Sequence, residues 1–294
     1  MSPREPGADA TLFPPGFLRL LATVPALLRR VRHGAAAGVH AARGTGGPFL
    51  FRGHRAYREG DDLRRVDWGV LARHDRVVVR EHDAERDVRT EVWLDGSASL
   101  APAGGRVAAA RAAALACAAG LCGGGRVRLG VLRDGAATPR READDPADLA
   151  ALLDAIAAET PAHRAGLADA LPALRARLPA RARLFLVTDL LTDADPEVLA
   201  RAAGRGLSGA VLHLRDPDTW APPSEGLFEA VDAETGARRV VRWTPDRAER
   251  VARRAAAHAE RWTHAARAAG LALLPFAPST PPEDLLARIA LEVP

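Results

Sequence analysis

The sequence predicts an α/β protein: a mostly parallel sheet with helices on both faces, a small N-terminal α+β extension and an inserted β-hairpin. Three observations carry this. From Arg89 onward, short apolar runs of strand length alternate with longer segments whose apolar residues recur at helical spacing. The strand-like runs are apolar almost throughout, as expected of strands covered on both faces. The rhythm breaks at "LFEAVDAETGARRVVRW", where two strand-like runs flank a turn built around "ETG".

Residues 1 to about 15 carry four prolines and no periodicity, which predicts a loose tail. "GFLRLLATVPALLRRVRHG" predicts a helical arm over 16–32, too short and too interrupted by Arg19 and Pro25 to span a bilayer. Its apolar stripe suits packing on the rest of the chain, with a membrane surface or a partner as the other destination. "GAAAGVHAARGTGG" then predicts a turn-rich connector. Over 47–88 the texture changes: a Gly-Asp turn, a short helical pattern in "DDLRRVDWGVLAR" capped by Asp61 or Asp62, and an alternating strand in "RVVVREHDAE". The chain thus divides into a tail and arm (1–46), a small N-terminal element (47–88) and an α/β domain (89–294).

Within that domain, "TEVWLD", "RVRLGVLRD", "ARLFLVTDL", "LSGAVLHLRD" and "LALLPF" predict strands. "GGRVAAARAAALACAAGLC", "DPADLAALLDAIAAE", "GLADALPALRARL", "DPEVLARAAG", "DRAERVARRAAAHAERWTHAARAAG" and "PPEDLLARIALEV" predict helices. On the long helix, Val251, Ala255, His258, Trp262 and Ala266 share a face, and Glu249 is placed to pair with Arg253.

Composition narrows the chemistry. All 41 basic residues are arginine, and lysine, asparagine and glutamine are absent. A P-loop and a Schiff-base mechanism both need a lysine, so neither is available. Acidic and basic residues are interspersed rather than blocked, which argues against a nucleic-acid footprint. Cys117 and Cys122 fall on different sides of one predicted helix, so buried thiols in a reducing, cytoplasmic setting are expected rather than a disulfide. The histidines, among them His54, His74, His82, His163, His258 and His264, form no recognised metal-binding spacing.

Open α/β sheets bind ligands beyond the carboxyl ends of their strands. "VWLDGSAS" sets Asp95, Ser97 and Ser99 at one strand end, and "LFLVTDL" sets Asp189 at another. An acid followed by hydroxyls at alternate positions offers hard oxygens to an octahedral Mg²⁺ or Mn²⁺. The competing account is that these side chains only cap the turn that follows. A covalent aspartyl phosphatase is disfavoured, because the position two residues after Asp95 is Ser97 rather than a second acid.

"LDGSAS" with "LVTDL" resembles the D-x-S-x-S and distal Asp signature of von Willebrand factor A domains. "YREGDDLRRVDW", followed by Ala72-Arg73, resembles the Y-x-x-G-D-D-x-R-x-x-D-W block of bacterial domain of unknown function fifty-eight, typically encoded beside MoxR-type AAA+ ATPases. The resemblance spans roughly residues 35 to 294, including "DAETG". It implies a von Willebrand factor A-like domain whose metal-ion-dependent adhesion site falls on Asp95, Ser97, Ser99 and Asp189, with Asp189 acting through water. The middle loop should supply a threonine, and "RAGLADAL" has Ala165 there. The function implied is a non-enzymatic protein-binding adaptor working with a MoxR-type ATPase on other proteins. A metal-dependent hydrolase using Asp95 and Asp189 is the alternative, and it lacks an identifiable base.

The charged block itself, with Tyr57, Asp61, Asp62, Arg64, Asp67 and Trp68, reads as a clamp of bidentate arginine–carboxylate pairs, with a partner-docking surface as the competing reading. Replacing Asp67 by Asn or Arg64 by Ala separates the two. The clamp lowers the melting temperature, whereas a docking surface leaves it unchanged and loses partner binding.

Overall fold

The computed structural model describes residues 12–38, 51–56, 78–82, 89–123, 125–162, 164, 166–203, 206–215 and 224–292. At the N-terminus, α1 (Pro15–Gly38) places Phe17, Leu21, Val24 and Leu28 along one buried stripe. That stripe joins the apolar cluster on one face of the main sheet, and the Arg111 side chain holds the start of the helix by donating from Nε to the Leu12 carbonyl at 2.9 Å. The arm therefore packs on its own protein. It also runs further than its pattern predicted, because Gly34–Gly38, expected in a connector, is helical. Three alanines of high helix propensity lie between those two glycines and offset their cost. β1 (Phe51–Ala56) and β2 (Val78–His82) pair antiparallel as a separate two-stranded sheet. Tyr57, Asp61, Asp62, Arg64, Asp67 and Trp68, as well as His74, His163 and Ala165, lie outside the described residues.

The remaining chain alternates as expected, in the order β3 (Arg89–Asp95), α2 (Gly105–Cys122), β4 (Val127–Arg133), β5 (Ala136–Ala143), α3 (Leu149–Ala157), α4 (Leu167–Arg175), β6 (Ala182–Thr188), α5 (Glu197–Ala203) and β7 (Leu207–Leu214). The hairpin β8 (Gly226–Val231) and β9 (Arg238–Trp243) follows, then α6 (Pro245–Ala268), β10 (Ala272–Phe276) and α7 (Pro282–Leu291). Six strands form one sheet in the order β10-β7-β6-β3-β4-β5, parallel except for β5. Helices cover both faces: α1, α2, α3 and α7 contribute to one apolar cluster, and α4, α5 and α6 to the other.

β5 was not anticipated. Its sequence, AATPRREA, has two buried residues and a run of exposed polar ones, as befits an edge strand. It closes the sheet by a tight turn through Asp134 and Gly135, both at positive φ. On α6 only the C-terminal half of the predicted face is buried, at Trp262 and Ala266, while Val251, Ala255 and His258 are half-buried; the Glu249–Arg253 pair forms at 2.7 Å. Cys117 is buried and Cys122 half-buried, and both are free thiols. Among the described residues α2 is the one helix apolar and long enough to cross a membrane, and it lies mostly buried against the sheet.

Tight packing across the sheet shows in one cross-strand pair. Trp93 on β3 stands opposite Gly130 on β4, and a Cβ at Gly130 would sit 2.3 Å from the indole. Trp93 is fully buried and donates from Nε1 to Glu91 Oε2 at 3.0 Å, so the ring cannot swing aside without stranding that carboxylate. Gly130→Ala is expected to cost ~1–3 kcal/mol, as overpacked cores do. The drop in urea midpoint measures it, and an unchanged midpoint would refute this packing.

Candidate functional site

The switch point of the sheet lies between β3 and β6, where the chain first winds outward to β4 and later returns to the other side. In the parallel register Leu94 faces Val187, which puts Asp95 at the end of β3 beside Thr188 and Asp189. The two short segments that follow these strands build the site.

Asp95 is buried, with 3% of its surface exposed, and both oxygens are engaged. Oδ1 accepts from the Ser97 backbone N–H at 2.8 Å, and Oδ2 accepts from the Thr188 hydroxyl at 2.6 Å. Thr188 Oγ1 accepts in turn from the Leu190 N–H at 3.0 Å. The Ser97 and Ser99 hydroxyls lie 3.0 Å apart. Asp189 is 9% exposed; its Oδ1 accepts from the Leu191 N–H at 3.0 Å, but Oδ2 is buried with no hydrogen-bond partner among the described residues. Leu190, between the two anchors, takes a left-handed φ of 55°, an unusual conformation for a branched apolar side chain and one that marks a loop held in place by its surroundings.

Burial, then the charge of Asp189, pushes Asp95 up to about 6. Burial likewise raises Asp189, opposed by the Ser99 hydroxyl and the Leu191 N–H. Two histidines support the Asp189 loop from behind. His213 Nε2 lies 3.2 Å from the Asp189 carbonyl and His258 Nε2 2.8 Å from that of Leu190. Burial pushes His213 down to about 4, so its ring is neutral at physiological pH. Below Asp95 is a cavity of about 20 Å³, bordered by Gly96, Arg106, Glu159 and Thr160, with room for a single water.

The rim is completed from two further segments. The Ala162 N–H donates to the Gly96 carbonyl at 3.3 Å and the Asp134 N–H to the Arg164 carbonyl at 2.7 Å, which seats the loop before α4 against the Asp95 loop. Arg164 Nε then donates to Glu234 Oε2 at 3.0 Å, bringing the hairpin turn to the same place.

The structure thus brings Asp95, Ser97, Ser99 and Asp189 together, as their positions at strand ends suggest. Among the described residues no group of three or more His, Cys, Asp or Glu side chains is placed to hold a metal, so any cation here relies on the hydroxyls. The two hydroxyls are engaged with one another, their 3.0 Å separation being that of a hydrogen bond. Sequence reasoning passed over Thr188, His213, Arg164 and Glu234. Thr188 stands inside the quoted "LVTDL" and could have been found there; the others depend on contacts that only folding reveals.

The fold and site define an α/β protein with a crevice of acids and hydroxyls at the switch point of a parallel sheet. By sequence the chain belongs to the family described as protein of unknown function DUF58, whose model matches residues 53–263, a span that contains Asp95, Ser97, Ser99, Arg164, Asp189 and Glu234. Uncharacterized proteins of Mycobacterium tuberculosis (strain ATCC 25618 / H37Rv) and Mycobacterium bovis are 31% identical to it, covering 92% of this chain and 90% of theirs. Similar solved structures include the conserved hypothetical protein BatB from Bacteroides thetaiotaomicron, with 14% identity and a TM-score of 0.46 over 70% of this chain and 97% of that one. Another is an aerotolerance-related membrane protein from Bacteroides fragilis, with 14% identity and a TM-score of 0.47 over 70% and 98%.

A carboxylate raised by burial binds its proton more tightly in the folded than in the unfolded chain. Its favourable contribution is therefore complete below the ordinary value of 3.8 and lost as pH rises through about 6. In chelator, Asp95→Asn, which keeps the shape without the charge, should melt a few degrees above wild type at pH 7.5. That gap should close towards pH 4, and a wild type more stable than the variant at pH 7.5 contradicts the charge assignment.

Proposed function

We propose that this chain is a protein-binding module of the von Willebrand factor A-like kind, using Asp95, Ser97, Ser99 and Asp189 to present a divalent cation to a partner's carboxylate. The observation that carries this is the convergence of Asp95, Ser97, Ser99 and Asp189 at the switch point of the sheet, with Asp189 Oδ2 buried and without a hydrogen-bond partner among the described residues. Ser97 and Ser99 would hold Mg²⁺ or Mn²⁺ directly, with Asp95 and Asp189 behind bridging waters. When bound, the cation supplies an electrophilic position that an acidic side chain of another protein completes.

The chain's own residues explain why such a site would bind rather than hydrolyse. Both oxygens of Asp95 are occupied in fixing the Ser97 loop and Thr188, so this carboxylate orients rather than abstracts a proton. The backbone of the Asp189 loop is tied down by Thr188, His213 and His258, which keeps the rim preorganised. The partner we favour is a MoxR-type AAA+ ATPase, on the strength of the Y-x-x-G-D-D-x-R-x-x-D-W block, with the pair acting in assembly or remodelling of other proteins.

Co-purification of the full chain with a MoxR-type ATPase tests this. Mg²⁺ should support the complex, chelator should weaken it, and Ser97→Ala should reduce it with the fold intact. A complex indifferent to all three would remove the cation from the account; no association in any condition would remove the partner.

A further inference from the structure

The β8–β9 hairpin is a ribbon of two strands with one face left open. Its register sets Leu227 opposite Arg242, Glu229 opposite Val240 and Val231 opposite Arg238, so these six side chains share a face. Leu227, Val231 and Val240 are 67%, 53% and 69% exposed, half of the large apolar side chains that are exposed among the described residues. The opposite face is the inward one, since Phe228, Val241 and Trp243 are half-buried. The ribbon is also held at both ends. Its turn is tied to the body by the Arg164–Glu234 pair, and β9 runs directly into the start of α6, capped by Thr244. A two-stranded ribbon is marginal in water by itself, so an aliphatic face fixed in place yet uncovered marks a contact surface.

Beside the ribbon, α6 carries segregated charge. At ~100° per residue, Arg250, Arg254 and Arg261 fall within ~40° of one another around the helix, while Asp246, Glu249 and Glu260 lie on the neighbouring flank. These three arginines are exposed and, like Arg242, have no acidic partner among the described residues. Arg247, next to the same stripe, donates from Nη1 to the Arg242 carbonyl at 3.4 Å, which joins the basic flank to the β9 end of the ribbon.

We propose that the open face of the hairpin and the arginine flank of α6 together dock an acidic, aliphatic segment of another protein. The surface does not depend on a cation at Asp95. Charge decides the occupant. A second copy of this chain would set Arg242 and the arginine flank against their like. A nucleic acid has no use for three aliphatic side chains, and both it and an anionic lipid surface would press continuous negative charge onto Glu225, Glu229 and Asp232, exposed on the same ribbon. A peptide segment places its acids one by one. From Arg250 to Arg261 the stripe runs ~17 Å along the helix, within reach of about five or six extended residues. Carboxylates there meet unpaired guanidinium groups, and aliphatic side chains cover Leu227, Val231 and Val240.

Fluorescence anisotropy of a fluorescein-labelled peptide of Glu-Glu-Leu repeats, titrated with the full chain in chelator, tests this. Wild type should bind it and ignore the Lys-Lys-Leu counterpart. The double variant Arg250→Glu, Arg254→Glu should bind at least ~10-fold more weakly, and Val240→Ser at least ~3-fold more weakly. Arg141→Glu makes the same charge change on β5, at the opposite edge of the sheet from the β10 strand that α6 packs against, and should bind as wild type does. Circular dichroism melts confirm that each variant is folded. No binding by wild type, equal weakening by Arg141→Glu, or a Val240→Ser variant that binds like wild type overturns the proposal. So does tighter binding to phosphatidylglycerol vesicles or single-stranded DNA than to the peptide, or self-association of wild type that Val240→Ser abolishes.

Discussion

The parallel register of β3 on β6 is the constraint from which the site follows. Setting Leu94 opposite Val187 leaves Asp95 and Thr188 as the next pair along the strands, and their 2.6 Å hydrogen bond ties the two central strands at the end where the sheet changes winding direction. A one-residue slip would turn Asp95 and Thr188 to opposite faces and expose the apolar set of one strand, so the register is held by the whole core on both faces. Asp189 is then placed without further instruction, one residue beyond Thr188. Its loop needs the unusual backbone of Leu190 to turn sharply enough, and Leu190 is fully buried, so apolar packing supports the strained turn.

Buried acids in this protein fall into two kinds, and the contrast shows which of them are structural. Glu91 is as deeply buried as Asp95, and burial raises it too, but it has a guanidinium beside it: Trp93 Nε1 donates to Oε2 at 3.0 Å, and Arg128 lies 3.3 Å from Oε1 in an ion pair, although Oε1 takes no hydrogen bond among the described residues. It sits mid-strand, and its partners come from its own strand and the neighbouring one. Its charge is thus met by an arginine, and its removal would be felt as stability. Asp95 and Asp189 sit at strand ends, next to one another, with hydroxyls rather than arginines as near neighbours. No guanidinium reaches either carboxylate in the described contacts, although arginine is the only strong cation this chain has. Arg133, beside the Gly96 turn, and Arg140 are instead both committed to Glu159. Acids left without a guanidinium in so arginine-rich a chain have their charge opposed by hydroxyls and backbone N–H groups alone.

Much of the architecture was legible because burial on both faces leaves a strong mark. "VWL", "LFLV" and "AVLHL" are apolar without alternation, and each became an interior strand of the sheet. β5 left no such mark, since an edge strand with a solvated face reads as polar loop, and the long α1 was cut short by glycines that alanine neighbours outweighed. Asp95, Ser97, Ser99 and Asp189 could be gathered from sequence because all four lie within a few residues of strand ends, and an open sheet directs such ends to one edge. Arg164 and Glu234 could not, being 70 residues apart and joined through a loop and a hairpin turn whose lengths specify no meeting point. What fixes their encounter is a sum of small terms: an Asx turn at Asp232, a backbone bond from Ala162 to Gly96, and a guanidinium facing the half-buried Glu234 carboxylate. Each is local and unremarkable in sequence, and only the folded chain brings the loop and the hairpin turn together.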